Sequence, residues 1–216
     1  MVSHMSFVQI YYKPEQKNKL YPFATPYYNE GLTIFFENKP IEAIVKEATG
    51  EKIAVASWKL SQKLRRHQPL TNERLEADYQ VLSFTRNSWR HNMMAMSNQW
   101  HPGFMKTISL LWEKLGLKIP GEAKQPIYQN HYSAKSDIYK RYVNEFLSPA
   151  MELIEKDEEL HSLMVVPSRY GSLSREADLK SVKEKLGMTD YPLCPFILER
   201  CPSLWFTIHR IPVTYL

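Results

Sequence analysis

The sequence is short of the residues that several common kinds of site require. Its 216 residues include only two cysteines, Cys194 and Cys201, which are too few for a disulfide framework and do not have the spacing of a zinc site. Only seven glycines occur, and they form neither a GxGxxG nor a GxxxxGK[ST] phosphate loop. These shortages argue against disulfide-rich secreted proteins, zinc-stabilised domains, Rossmann enzymes and P-loop enzymes.

Long hydrophobic runs and two catalytic motifs are also absent. The longest apolar stretches, such as residues 53–57 and 109–112, are far shorter than the roughly 20 residues that cross a bilayer. No HExxH or GxSxG pattern occurs, and no basic segment followed by an apolar one opens the sequence. We therefore expect no transmembrane span and no secretory signal, and a location in a reducing cytoplasm of the bacterial type. Association with a membrane surface is compatible with these features.

The composition is that of one ordinary globular domain. Hydrophobic residues make up 44% of the chain and charged residues 24%, and the length falls within the range of a single domain. No internal repeat or linker divides the chain, because the 14 prolines are scattered along it. Residues 1–5 (MVSHM) are typical of a cloning remnant. The sequence thus predicts one domain over residues 6–216.

The positive charge of the chain is modest and spread out. A net charge of +5 favours anionic partners, although an excess of this size often does no more than keep a protein in solution. The densest basic run, residues 63–67, suits a diphosphate or a nucleic-acid backbone, or equally a solvated helix face. Because the charge is not strongly segregated, nucleic acid is the less favoured partner.

Short strands and amphipathic helices alternate along the sequence. Apolar, β-branched and aromatic runs predict strands over residues 7–12, 53–57, 79–84 and 126–132. Helical spacing with a capping residue or proline at the start predicts helices that begin near Pro40, His101, Ser136, Ser174 and Pro195. Lys59 to His67 is predicted to be a further, basic helical piece, and Pro149 is predicted to kink the helix after Ser136. This alternation predicts an α/β fold with a mostly parallel mixed sheet flanked by helices.

Two arginines follow one of the predicted strands. Arg86 and Arg90 lie just past the carboxyl end of the strand at residues 79–84, and open α/β sheets bind ligands at that edge. Their charge suits an anion, although an ordinary salt bridge would explain them equally well.

Three segments resemble a family of bacterial capsular and lipopolysaccharide glycosyltransferases. Residues 78–87 (DYQVLSFTRN) resemble a strand and turn of that family, although its His-Tyr-Arg-Arg turn reads FTRN here. Residues 130–132 (NHY), which lead into a helix, resemble a later strand with an asparagine at its end. Residues 191–200 (YPLCPFILER) are similar to its Gly-Phe-x-x-Glu-Arg segment without the glycine, and Pro202 stands where the family continues an apolar helix.

The resemblance implies the nucleotide-diphospho-sugar (GT-A) fold and transfer of a sugar from a nucleotide sugar to a glycan or lipid-linked acceptor. It implies a general base at Glu199, nucleotide and diphosphate contacts at Arg86, Arg90 and Asp78, and sugar or acceptor contacts at Asn130, His131 and Arg200. The sequence has no Asp-x-Asp motif, so we assign no metal ligand, and dependence on Mn²⁺ or Mg²⁺ is left open. The alternative is a non-catalytic binding or interaction protein derived from that fold, with a nucleic-acid-binding protein less favoured.

Overall fold

The computed structural model describes residues 5–64, 69–84, 93–123, 125–168 and 176–216. Within these ranges the chain forms an α/β fold in which helices flank a six-stranded mixed sheet. The strands are β1 (Met5–Tyr11), β2 (Thr25–Tyr28), β3 (Lys52–Ser57), β4 (Val81–Ser83), β5 (Tyr132–Lys135) and β6 (Val213–Tyr215). The predicted fold class is confirmed at this level.

Ten α-helices occur in the described ranges. They are α1 (Asn38–Glu47), α2 (Leu60–Lys63), α3 (Asn72–Glu76), α4 (Met93–Trp100), α5 (Phe104–Lys114), α6 (Ser136–Tyr142), α7 (Ser148–Lys156), α8 (Glu158–Met164), α9 (Glu176–Leu186) and α10 (Cys194–Ile208). A 3-10 helix over Pro14–Lys19 follows β1, and a π-helical turn over Val143–Leu147 joins α6 to α7. Among the helices described here, none is both long enough and apolar enough to span a bilayer.

The strand order places a topological switch point beside β1. The order across the sheet is β2-β1-β3-β5-β4-β6, and β1 pairs in parallel with both β2 and β3. The two strands that follow β1 in the chain thus lie on opposite sides of it. In open α/β sheets the crevice at the carboxyl ends of such strands is where ligands bind.

The expected mostly parallel order holds except around β5. This strand runs antiparallel to both β3 and β4, whereas β4 and β6 are parallel. The chain after α5 returns to the carboxyl edge of β3 before β5 begins, and β5 therefore runs back through the sheet. Since β3 and β4 are both antiparallel to β5, their carboxyl ends lie at the same edge.

The sheet is covered on both faces, and β3 shows why. All of its residues are buried, and successive side chains of a strand point to opposite faces. Ile53 and Val55 join the larger core, which is built with α1, α5, the segment from α6 to α7, and α10. Ala54 and Ala56 join the smaller core, which includes Leu60 of α2 and residues around α3.

The predicted helices are largely confirmed, with shifted ends. The helix expected at Pro40 begins at Asn38, and the one expected at Pro195 begins at Cys194. Ser136 is the first residue of α6 and does not act as its cap. Pro149 has no amide to donate, and the helix widens into the π-turn just before it.

One predicted strand is wrong, and one predicted helix is confirmed only in part. Residues 126–131 do not form a strand, because side chains of α10 replace the neighbouring strand as partners of their backbone. The predicted helical piece from Lys59 to His67 is helical only over Leu60–Lys63, and residues 65–68 lie outside the described ranges.

Candidate active site at the carboxyl edge of the sheet

Charged and polar side chains from four separate segments meet at the carboxyl edge of β1 and β3. We call this group the edge cluster: Tyr12 after β1, Glu37 before α1, Lys59 and Lys63 after β3, and Glu199 and Arg200 in α10. Lys63 interacts electrostatically with each of the other charged members, and Tyr12 lies beside Glu37. The cluster therefore occupies the position that the switch point predicts for a ligand.

Glu199 and Arg200 form the fixed part of the edge cluster. The Glu199 Oε1 atom lies 2.6 Å from Nη1 of Arg200, and the two side chains are only 16% and 5% exposed. Arg200 also donates from Nε to Ser97 Oγ at 3.0 Å, and its guanidinium lies 5.0 Å from the centre of the Tyr128 ring. An ion pair with this many neighbours holds both side chains in one position.

Beside this ion pair the chain makes a strained turn. Gln129 and Asn130 both adopt the left-handed backbone, with φ of 66° and 52°, which residues other than glycine rarely take. The amide of Gln129 donates to Glu199 Oε1, and Asn130 donates from Nδ2 to Asn38 Oδ1 at 3.3 Å. Strain of this kind is kept only where the surroundings enforce it, and it is common at functional sites.

Ser203 holds the same loop at Ile127, two residues before Gln129. Its hydroxyl accepts a hydrogen bond from the amide of Ile127 at 2.7 Å and donates one to the carbonyl of Ile127 at 3.1 Å. Helix α10 therefore supports the turn through both Ser203 and Glu199. Asn130 is brought to the edge in this way, close to the ion pair.

His131 lies beneath the edge and is fully buried. Its Nε2 is 3.0 Å from Ser57 Oγ at the end of β3, and its carbonyl accepts from the amide of Phe84 at 3.0 Å. Burial, with the nearby charges of Lys63 and Lys59, holds the pKa of His131 well below 6.5. The side chain is therefore neutral at pH 7 and joins β3 to the strained turn.

Glu37 is the acidic member that sequence analysis missed. It stands at the N-cap of α1, but its side chain accepts no capping hydrogen bond from that helix. Burial raises its pKa to about 7; Lys63 and Lys59 lower it, whereas Glu199 raises it. The residue as a whole is half-buried. The only signal in the sequence was an acid at the start of a predicted helix, which normally indicates no more than a favourable helix dipole.

The lysines add positive charge at the surface of the edge cluster. Lys63 is exposed, yet the surrounding protein lowers its pKa, against the opposing effect of Glu199 and Glu37. Lys59 packs over Trp58, with its Nζ 5.4 Å from the ring centre. Side chains that are reached by water but surrounded by protein are typical of a cleft.

Aromatic rings lie next to the charged groups. His101 stacks on Phe196 with ring centres 4.1 Å apart, and Tyr191 contacts both Phe196 and Phe36. Burial, and then Arg200, lower the pKa of His101 to about 4, so this ring is neutral at pH 7. Flat apolar surfaces beside fixed charges suit a ligand that carries both a ring and an anionic group.

The site residues predicted from the sequence are only partly brought together. Glu199, Arg200, Asn130 and His131 share the carboxyl edge. Asp78 is at the opposite edge, where its side chain is 98% exposed. Its Oδ1 lies 3.8 Å from Nζ of Lys135, the last residue of β5, which pairs with Lys52 at the amino end of β3. Arg86 and Arg90 lie outside the described residues.

In the part of the chain that the structure describes, no three His, Cys, Asp or Glu side chains are grouped as metal ligands would be. Comparison with protein-family models, with curated proteins and with solved structures finds no match. The edge cluster is therefore the feature of this chain that bears on its function.

Proposed function

We propose that this chain is a glycosyltransferase that transfers a sugar from a nucleoside-diphosphate sugar to a hydroxyl group of a glycan or lipid-linked acceptor. The main support is that three cations and two carboxylates converge at the switch point between β1 and β3. Such a transfer needs cations beside the departing diphosphate and a carboxylate beside the acceptor hydroxyl. The edge cluster has both kinds of group in one place.

In this proposal Lys59 and Lys63 bind the diphosphate. Lys63 is exposed and its pKa is lowered by its surroundings, so a bound anion would restore favourable contacts for its charge. Arg200 already donates to Ser97 and pairs with Glu199, and it would contribute mainly through its charge. Arg86 and Arg90 follow β4, whose carboxyl end lies at the same edge, and their predicted role in diphosphate binding is retained.

The strained turn would present Asn130 to the sugar. Its side chain is oriented by Asn38, and an amide can both donate to and accept from sugar hydroxyls. Glu199 holds the turn through the Gln129 amide, so we assign it a positioning role, in place of the general-base role that the resemblance implies. The neutral His131 supports the turn from below.

A thermal-shift screen tests this proposal. The purified chain is mixed with UDP, GDP, CMP, dTDP and their common sugar conjugates, with and without Mn²⁺. A ligand at a hundred times its Kd adds about 2.7 kcal/mol to stability. In a chain of this length that raises Tm by roughly 5–10 °C. We expect one nucleotide class to produce such a shift.

The variant Lys63→Ala should lose most of that shift, because it removes a cation from the diphosphate site. The matched control is Lys156→Ala, whose lysine is 72% exposed on α7 and pairs with Glu152 within its own helix. Equal shifts in both variants would contradict the assignment of Lys63. A shift without release of nucleoside diphosphate would favour the non-catalytic binding protein, and a flat screen would overturn the proposal.

A further inference from the structure

We infer that Glu37 is the general base of this transfer: its carboxylate accepts the proton of the acceptor hydroxyl as that oxygen bonds to the sugar. The inference rests on the glycosyltransferase activity proposed above. It adds a catalytic residue that no motif in the sequence indicated.

The position of Glu37 fits this role. Helix α1 follows β2 and leads to β3, so its first turn lies at the carboxyl edge, where the strands of the switch point end. The Glu37 side chain does not cap its own helix and lies with Tyr12 and the lysines of the edge cluster. The residue as a whole is half-buried at this edge.

Glu199 is less suited to accept a proton from a substrate. One of its oxygens already accepts a hydrogen bond from the amide of Gln129 and forms an ion pair with the guanidinium of Arg200. Moving that carboxylate toward an acceptor would release a strained turn and leave an arginine buried without its partner. Glu37 interacts with the Tyr12 hydroxyl and does not cap its own helix.

Every charged or titratable neighbour of Glu37 affects how readily it takes a proton. These neighbours are Tyr12 at the end of β1, Lys59 and Lys63 around α2, and Glu199 in α10. Burial and the Glu199 charge make protonation easier, whereas the two lysines make it harder, and the pKa settles at about 7. A base is most effective when its pKa lies near the working pH.

Binding of the donor should strengthen this base. The lysines that hold Glu37 in its charged form are the same lysines that we assign to the diphosphate. Once the diphosphate neutralises them, their effect on Glu37 weakens and its pKa rises further. The donor would thus prepare the carboxylate to accept a proton.

The proposed reaction is a single displacement. The acceptor oxygen attacks the anomeric carbon of the sugar, and its proton passes to Glu37. The bond between that carbon and the phosphate oxygen breaks, and its electron pair leaves with the nucleoside diphosphate beside Lys59 and Lys63. The protonated Glu37 then returns its proton to water.

The test compares Glu37→Gln with Glu199→Gln. Release of nucleoside diphosphate is measured from UDP-glucose, UDP-galactose and GDP-mannose, with a glycan mixture or water as acceptor, across pH 5 to 9. Thermal shifts with UDP and GDP are recorded for the same proteins. Glutamine is nearly isosteric with glutamate, and unfolding curves check that each variant folds.

We expect Glu37→Gln to keep the nucleotide shift and to lose turnover by about 10²- to 10⁴-fold, together with the acid limb of the pH profile. Glu37→Asp should restore part of the turnover, because a carboxylate returns. The pH dependence of kcat reports the pKa of Glu37 in the complex, and that of kcat/KM for the donor reports its pKa in the free enzyme. Because the bound donor raises this pKa, the acid limb of the wild-type kcat profile should lie at higher pH than that of kcat/KM.

Two results would overturn the inference without touching the proposed activity. The first is wild-type turnover in Glu37→Gln. The second is loss of the acid limb in Glu199→Gln with the limb kept in Glu37→Gln. A wild-type chain that neither shifts with nucleotides nor releases them would instead overturn the glycosyltransferase proposal, and the inference with it.

Discussion

Charged side chains at the two edges of the sheet have different kinds of partner. At the amino edge, Lys52 of β3 is buried, and its ammonium donates to the carbonyls of Glu76 and Ala77 at 2.9 and 2.6 Å and lies 4.5 Å from the centre of the Tyr79 ring. The two hydrogen bonds close the end of α3. At the carboxyl edge, Glu37 stands among charges of both signs, is half-buried and has a raised pKa.

A structural charge differs from a functional one in what holds it in place. Both edges contain buried or half-buried ionisable groups, and burial alone therefore does not identify a site. The ammonium of Lys52 is held by backbone carbonyls that no ligand would replace. The groups around Glu37 are held mainly by one another, and an added anion or proton changes all of them.

The largest effect is expected from the anchor of the carboxyl edge. Replacing Glu199 with Ala leaves the Arg200 guanidinium buried without its ion pair and the amide of Gln129 without its acceptor. We expect a loss of about 3–4 kcal/mol in the free energy of unfolding, measured by urea denaturation. Glu152→Ala, at an exposed pair on α7, should change stability by less than about 0.5 kcal/mol. Similar small losses in both variants would show that the ion pair does not hold the turn.

A smaller loss, without loss of function, is expected at the amino edge. Lys52→Met keeps the length of the side chain but leaves the carbonyls of Glu76 and Ala77 without their donor, which should cost about 2 kcal/mol. Nucleotide-induced thermal shifts should be unchanged, because the carboxyl edge is untouched. Lys135→Ala, whose lysine is 45% exposed at the same edge, is the matched control. A nucleotide shift that disappears in Lys52→Met would break the distinction between the edges.

The parts of the fold that depend on local pattern were predictable. The apolar run of β3 and the helical spacing of α5 are each set by residues close together in sequence, and Gly116 ends α5 with φ of 70°, a conformation that favours glycine. The wrong strand at residues 126–131 has β-type composition. The strand does not form because Ser203 and Glu199, more than 60 residues further along the chain, accept hydrogen bonds from its backbone amides.

The candidate site was predictable only where an unusual motif marked it. Glu199, Arg200, Asn130 and His131 were found through the resemblance, and the structure places them at one edge. Glu37 and Lys59 have ordinary neighbours in sequence, and they gain their properties from burial and from charges on other segments. A single sequence does not show which distant segments lie together in the fold.

The most direct test of the contrast between the edges is the stability of Glu37→Gln against wild type from pH 4 to 9. The pKa of Glu37 is raised from 4.5 in the unfolded chain to about 7 in the folded one, so the unfolded state loses its proton first as pH rises. Relative to Glu37→Gln, the wild type should therefore lose stability between about pH 4.5 and 7, by on the order of 1–3 kcal/mol.

We predict that Glu37→Gln matches the wild type near pH 4 and unfolds at a higher temperature at pH 8, by several degrees, while its turnover falls. Such a result would mean that the carboxylate at the carboxyl edge is kept at the expense of stability, as expected of a catalytic group. A variant that is less stable than the wild type at pH 8, or a difference that does not change with pH, would contradict this account and make Glu37 a structural charge like Lys52.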